Sequence, residues 1–298
     1  MHDYHNRAVT APQRQEAEIL QHNEKGGRYY TVTGDPRVAD MKLPSITACL
    51  GSINKGPGLM QWAVNRALDQ VRSTFLNIPL SSVAPDKWPD FVDQTIASAK
   101  KRPDQVRDQA ADIGLRTHRL IESYLEAKKD GLTIAFEFLC KILSASKAID
   151  CTREDSGIPE IIRNWAVNFL DLEKPFQAFV EWERQSRIEI TMAEQRVYSP
   201  IHFHAGTMDA IGKRPDGKTV VMDWKTSNRL YPESKLQVAA YSHAYAQMYG
   251  EKVSEAWIVR LGKTKPEFEA VKLEEAEIDH CYHLFLSAKH LMEGLPKI

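Results

Sequence analysis

The chain has 298 residues, 43% hydrophobic and 27% charged, which allows a sizeable buried core and excludes a disordered or fibrous class. Its 39 Lys and Arg against 40 Asp and Glu leave a formal charge of −1, so no overall basic field advertises a nucleic-acid partner, and any such surface has to be local. No apolar run approaches the roughly 20 residues needed to span a bilayer, and MHDYHNRAVT lacks the apolar stretch of a secretory signal, so a cytoplasmic setting without a membrane is expected.

Residues 1–43 are polar and mixed, with an extended segment predicted over 28–33. After the break at Lys55-Gly56-Pro57-Gly58, the spacing of Leu59, Trp62, Ala63, Arg66 and Ala67 predicts a helix over 59–74. Two prolines make 80–90 a loop. A short helix over 91–101 is punctuated by Pro103, and a second over 104–129 carries an apolar face of Val106, Ile113, Leu120, Ile121 and Leu125. Helical patterns continue over 136–148 and 160–170. Residues 44–175 therefore read as a mainly helical region.

The pattern changes near residue 176, where Phe179, Ile188, Ile190 and Val197 fall in β-prone segments. Strands are predicted over 204–211 and 219–225, joined by the turn Pro215-Asp216-Gly217-Lys218. Pro232 opens a helix that Gly250 closes. A strand over 256–261 and a helix over 275–292 follow. Residues 176–298 thus predict an α/β core, a mixed sheet flanked by helices, behind the helical region. The four cysteines, Cys49, Cys140, Cys151 and Cys281, have neither zinc-ligand nor disulfide-framework spacing and read as free thiols.

Chemistry concentrates on the predicted hairpin. Asp209 and Asp223 are fourteen residues apart across its turn, so they can lie side by side near its open end. Two carboxylates there suit a hard divalent cation. Lys225 follows Asp223 by two, the period of a strand, and shares its face. A carboxylate pair with an adjacent lysine suits metal-assisted phosphodiester hydrolysis, the lysine orienting water or opposing developing negative charge. Gln237 and Tyr241, at i and i+4 on the following helix, share a face that can pack toward Lys225.

The order G-T-M-D, D-W-K, Q-V-A-A-Y resembles the PD-(D/E)XK nuclease superfamily, in its RecB-like exonuclease branch. The resemblance implies a nuclease core fold, metal-binding carboxylates at Asp209 and Asp223, a catalytic lysine at Lys225, and positioning of the lysine or DNA by Gln237 and Tyr241. It extends upstream. Gly114-Leu115-Arg116-Thr117-His118 resembles the branch's G-x-x-x-H helix, which implies that His118 is a metal ligand, with His202, His204 and His243 as rivals. Glu194 matches the acidic residue before the hairpin, and Glu122 lies one turn after His118. The front of the chain, from Tyr29-Tyr30 through Asn54-Lys55-Gly56-Pro57-Gly58 to Trp62, resembles phage and mitochondrial-type single-stranded DNA exonucleases. Relatives with an iron–sulfur cluster carry one cysteine before the core and three close together after it; Cys281 stands alone there, so no cluster is expected. No Walker-type loop occurs.

The densest basic stretch, Lys100, Lys101, Arg102, Arg107, Arg116 and Arg119, leads into the His118 helix and with Lys55 supplies candidate phosphate contacts, or else a solvated helix face. Trp62, Trp224 and Tyr231 are candidates for stacking on unpaired bases, although Trp224 alternates with the catalytic residues and suits the core better. The expectation is an exonuclease that uses Mg²⁺ or Mn²⁺ at DNA ends, preferring single strands. Its setting would be recombination, repair or replication in a bacterial or phage-infected cell, beside a recombinase or single-strand-binding protein. The alternatives are a structure-specific or restriction-type endonuclease and an inert DNA-binding subunit.

Overall fold

The computed structural model of the chain describes residues 17–24, 27–51, 53, 56–131 and 172–294. Three short strands come first: β1 (Glu18–Glu24), β2 (Gly27–Thr33) and β3 (Leu43–Pro44), forming one antiparallel sheet in that order. Helices α1 (Ile46–Leu50), α2 (Gly56–Asn77) and α3 (Trp88–Lys129) follow. Then come α4 (Glu173–Ser186), β4 (Glu189–Ser199), β5 (His204–Lys213), β6 (Thr219–Lys225), α5 (Glu233–Tyr249), β7 (Glu255–Leu261), β8 (Phe268–Glu274) and α6 (Glu275–Gly294).

Strands β4 to β8 form a second sheet in sequence order. Its one parallel pairing joins β6 to β7, because α5 carries the chain back across the sheet between them. Each face has its own core. Val221, Ile258 and Val238 pack on one side with α1, α5 and α6. Met222, Trp224 and Val259 pack on the other with α3 and α4. This mixed sheet between helical layers is the expected fold class.

Three local expectations need correction. Phe179 lies in α4, where Phe176, Phe179 and Trp182 form one buried helical face; aromatic content, common to strands and buried helices, gave the wrong period. Pro103 does not end a helix, since α3 runs unbroken for 42 residues. A proline there removes one backbone hydrogen bond, and packing on either side outweighs that: Thr95 and Ala99 are buried before it, Leu120 and Ile121 after it. Strand β8 was not foreseen, because only Leu273 of its residues is buried and its charged residues merge with the start of α6. The helices expected over 136–148 and 160–170, with Cys140 and Cys151, lie outside the described residues. Cys49 and Cys281 are buried, and no described helix is long and apolar enough to cross a membrane.

His204, at the start of β5, is fully buried between the rings of Tyr282 and Phe285 on α6, with Nε2 3.1 Å from the Tyr282 hydroxyl. Burial, helped by the nearby charge of Lys289, holds its pKa down from 6.5 to about 3. The unfolded chain therefore takes up a proton near pH 6.5 that the folded chain refuses until about 3. The neutral ring stabilises the fold fully above pH 6.5, and that contribution shrinks as pH falls. Urea unfolding between pH 6 and pH 4 is expected to lose about 1.4 kcal/mol per pH unit from this group. His204→Gln should lose correspondingly less over the same range.

Candidate metal and catalytic centre

The centre begins where β5 and β6 part. Their antiparallel register runs from Lys213–Thr219 to Ala210–Met222 and stops. One step further would set Asp209 opposite Asp223, and the step after that would pair Met208 with Trp224. That last pairing is absent from the ladder, so the β5-facing N–H and C=O of Trp224 need other partners. The N–H donates to Asp209 Oδ2 at 2.6 Å, and the C=O accepts from His118 Nε2 at 3.1 Å. The backbone of one residue thus holds a carboxylate from β5 and an imidazole from α3, through the two peptide groups that flank its Cα. The Trp224 side chain fixes that backbone from behind: it is 2% exposed and packs edge-on to Trp182 and Phe179, with ring centroids 4.8 and 5.2 Å away.

Because Nε2 of His118 donates to a carbonyl, Nδ1 faces the carboxylates, 3.3 Å from Asp209 Oδ1 and 4.0 Å from Glu194 Oε1. Glu194 reaches them through an irregular strand. The β4–β5 register passes through Ala193–Ala210 and Gln195–Met208, leaving Glu194 and Asp209 between, and Glu194 adopts a left-handed φ of 49°. Met208 and Ala210, which a regular strand would put on one face, pack in different cores. The kink turns Asp209 and Glu194 toward His118. A non-glycine residue held at such a φ is costly and clusters at functional sites.

On the other flank, Lys225 Nζ lies 2.7 Å from Asp223 Oδ2 and donates to Gln237 Oε1 at 2.9 Å. Gln237 Nε2 in turn donates to the Tyr241 hydroxyl at 2.9 Å. Two glycines let the helices come this close. A Cβ on Gly206 would sit 2.6 Å from the Tyr241 ring, and one on Gly114 would sit 3.1 Å from Thr226 Oγ1. The glycines of G-T-M-D and of G-x-x-x-H are thus clearances for α5 and α3 against the sheet.

Burial sets the electrostatics of the cluster, and the charges within it then add or oppose. Burial pushes the Glu194 carboxyl up to about 7, reinforced by Asp209 and Glu122. Burial likewise raises Asp223 to about 6, against the pull of Lys225. Burial disfavours the charge on His118, yet Asp209 outweighs it and lifts the imidazole to about 9. Asp209 stays below its usual range despite burial, because His118, Lys225 and the Trp224 N–H favour its anion. Burial opposes the Lys225 ammonium too, but Asp223 and Asp209 keep its pKa above the usual value. Tyr241, buried beside the same carboxylates, remains a neutral phenol. Donor atoms of His118, Glu194 and Asp209 lie within 4.8 Å of one another, the one such group among the described residues. Nitrogen and carboxylate donors at this spacing, in a pocket that pushes carboxyls toward neutrality, fit a divalent cation.

The structure therefore gathers His118, Glu194, Asp209, Asp223, Lys225, Gln237 and Tyr241. It separates the rival histidines: His204 is in the core, and His243 stacks on Tyr282 with His202 edge-on to the same ring. Arg116 is tied to Asp112 and Arg107 to Asp104, while Arg119 is exposed one residue beyond His118. Lys100, Lys101 and Arg102 sit 16 to 18 residues before His118 on α3, about 25 Å along the helix. Lys55 lies outside the described residues. The Trp224 backbone was missed as a contributor, since sequence patterns address side chains.

The PD-(D/E)XK nuclease superfamily model matches residues 91–297, more than half of the chain, and the chain belongs to that superfamily. Among solved structures it is similar to a candidate exonuclease from Eubacterium rectale, 15% identical, with 61% of this chain and 69% of that one covered at a TM-score of 0.33. It is also similar to an alkaline exonuclease from Laribacter hongkongensis, 16% identical, with 41% and 68% covered at 0.28. At these scores neither likeness bears on activity. A search of curated proteins gives no match.

Gly206→Ala is expected to displace the Tyr241 ring and loosen Gln237 and Lys225. A misplacement of this size lowers turnover by about 10- to 100-fold. Cleavage rates at saturating substrate, with thermal melting to confirm folding, check it. Gly206→Ala should resemble Tyr241→Ala in rate.

Proposed function

We propose that the protein is a divalent-metal-dependent deoxyribonuclease that removes nucleotides from DNA ends and prefers single strands. The observation that carries the chemistry is the convergence of His118, Glu194 and Asp209 donors beside an ammonium held by Asp223 and Gln237. His118, Glu194 and Asp209 would hold the cation, with Asp223 completing the acidic wall. The cation supplies an acidified water and positive charge against the phosphate. Asp209 stays ionised to receive it. Lys225 stays charged and, pinned between Asp223 and Gln237, faces the place where negative charge grows in the transition state. Gln237, itself bonded to the Tyr241 hydroxyl, holds the lysine ammonium in place. An imidazole among carboxylates favours Mn²⁺ over Mg²⁺. The end requirement and strand preference rest on the resemblance of the motifs and the front of the chain to single-stranded DNA exonucleases.

End-labelled single-stranded and double-stranded DNA and a closed single-stranded circle, each with Mg²⁺, Mn²⁺ or EDTA, test the reading. Linear single strands should be degraded with either metal, faster with Mn²⁺, and the circle should survive. EDTA should abolish activity. Lys225→Ala should reduce it by at least about 100-fold, the usual cost of removing one transition-state donor. Cutting of the circle would replace this reading with an endonuclease. No cleavage with either metal would overturn the enzyme reading.

A further inference from the structure

The segment 226–232, between β6 and α5, has both ends in the centre. Lys225, just before it, bonds to Gln237 on α5, and Glu233, just after it, adds to the field that keeps Lys225 charged. The segment is ordered from within. Ser227 Oγ donates to the Arg229 carbonyl at 2.7 Å, the Tyr231 carbonyl accepts from Ser234 N at 3.0 Å, and Leu230 packs against the core under α5. With Leu230 pinned inward, its two neighbours project to solvent. Arg229 is exposed and Tyr231 is 40% exposed. They meet there, the Arg229 guanidinium 5.0 Å from the centre of the Tyr231 ring.

The chemistry of this pair is unspent. Among the described residues no carboxylate pairs with Arg229, in contrast to Arg107 and Arg116, so its five donors remain open to an anion. One face of the phenol ring is occupied by the guanidinium, and the pair presents a flat cationic surface of the kind on which unpaired bases stack. Tyr231 is six residues from Lys225, so the chain bounds the separation of their Cα atoms to about 20 Å, a reach of a few nucleotides along a single strand.

We infer that Arg229 and Tyr231 form a base-stacking and phosphate-gripping platform for unpaired nucleotides flanking the scissile bond. This rests on the proposed nuclease reading and names how that centre selects single strands. Tyr231 takes the base by its ring, independent of base identity, and Arg229 takes a neighbouring phosphate.

The test is binding of a fluorescein-labelled 12-nucleotide single strand, intact or fully abasic, in Ca²⁺, followed by cleavage of the intact strand in Mn²⁺. Tyr231→Ala should raise Kd for the intact strand about tenfold, the effect of losing one base–aromatic stack, and leave Kd for the abasic strand unchanged. Tyr231→Trp should bind the intact strand at least as well as wild type, which a merely structural role for the tyrosine would not produce. Arg229→Gln should weaken both strands and flatten the dependence of log Kd on log salt by about one contact. Tyr231→Ala protein that binds and cuts the intact strand as wild type does would overturn the inference while leaving the nuclease reading in place. Equal weakening of intact and abasic binding by Tyr231→Ala would also overturn the stacking role. Wild-type protein that neither binds nor cuts would remove the nuclease reading and this inference with it.

Discussion

The centre hangs on the backbone of Trp224. A strand that loses its neighbour exposes an N–H and a C=O, and buried groups of that kind must be paired. Here the donor is satisfied by Asp209 and the acceptor by His118, so the requirement that every buried backbone group be paired draws the two side chains to one spot. The indole, wedged among Trp182 and Phe179, prevents the Trp224 backbone from moving to find other partners. Hydrophobic packing on one face of β6 thereby sets the position of ionisable groups beside it.

The rest of the arrangement supplies access. Gly206 lets Tyr241 lie flat on β5, Gly114 lets α3 approach Thr226, and the left-handed turn at Glu194 swings a third carboxylate inward. Each departs from what an isolated helix or strand would choose, and the two cores on either side of the sheet hold them there. The raised carboxyl pKa values of Glu194 and Asp223 follow from the same confinement: burial disfavours their charged forms, and neighbouring carboxylates add to it.

Much of this was readable from residue order, and the limits are physical. The alternation in β6, the turn at Pro215–Lys218 and the proline and glycine bounding α5 are local signals, and those elements formed where their residues indicated. The spacing of Asp223 and Lys225 fixed a shared strand face, and the spacing of Gln237 and Tyr241 a shared helical face. The roles of Gly206 and Gly114 were not readable, because a glycine states that a side chain is missing without naming what fills the space. Nor was the kink at Glu194, an ordinary residue in a conformation that only its surroundings impose. Strand β8 escaped because a mostly solvated edge strand carries little hydrophobic pattern.

The long sequence separations within the centre carry a consequence for how the protein comes to exist. His118 and the carbonyl it grips are 106 residues apart, and β6 gains its parallel neighbour only when 255–261 have been made. Contacts that close loops of this size form late in folding, and synthesis delivers the N-terminal parts first. A chain still on the ribosome that has exposed α3 but not β4 holds His118 without Glu194, Asp209 or Asp223. One that ends before β7 has a central strand with an unsupported edge. A nascent chain therefore lacks an assembled centre until β6 and its parallel neighbour β7 have both been made.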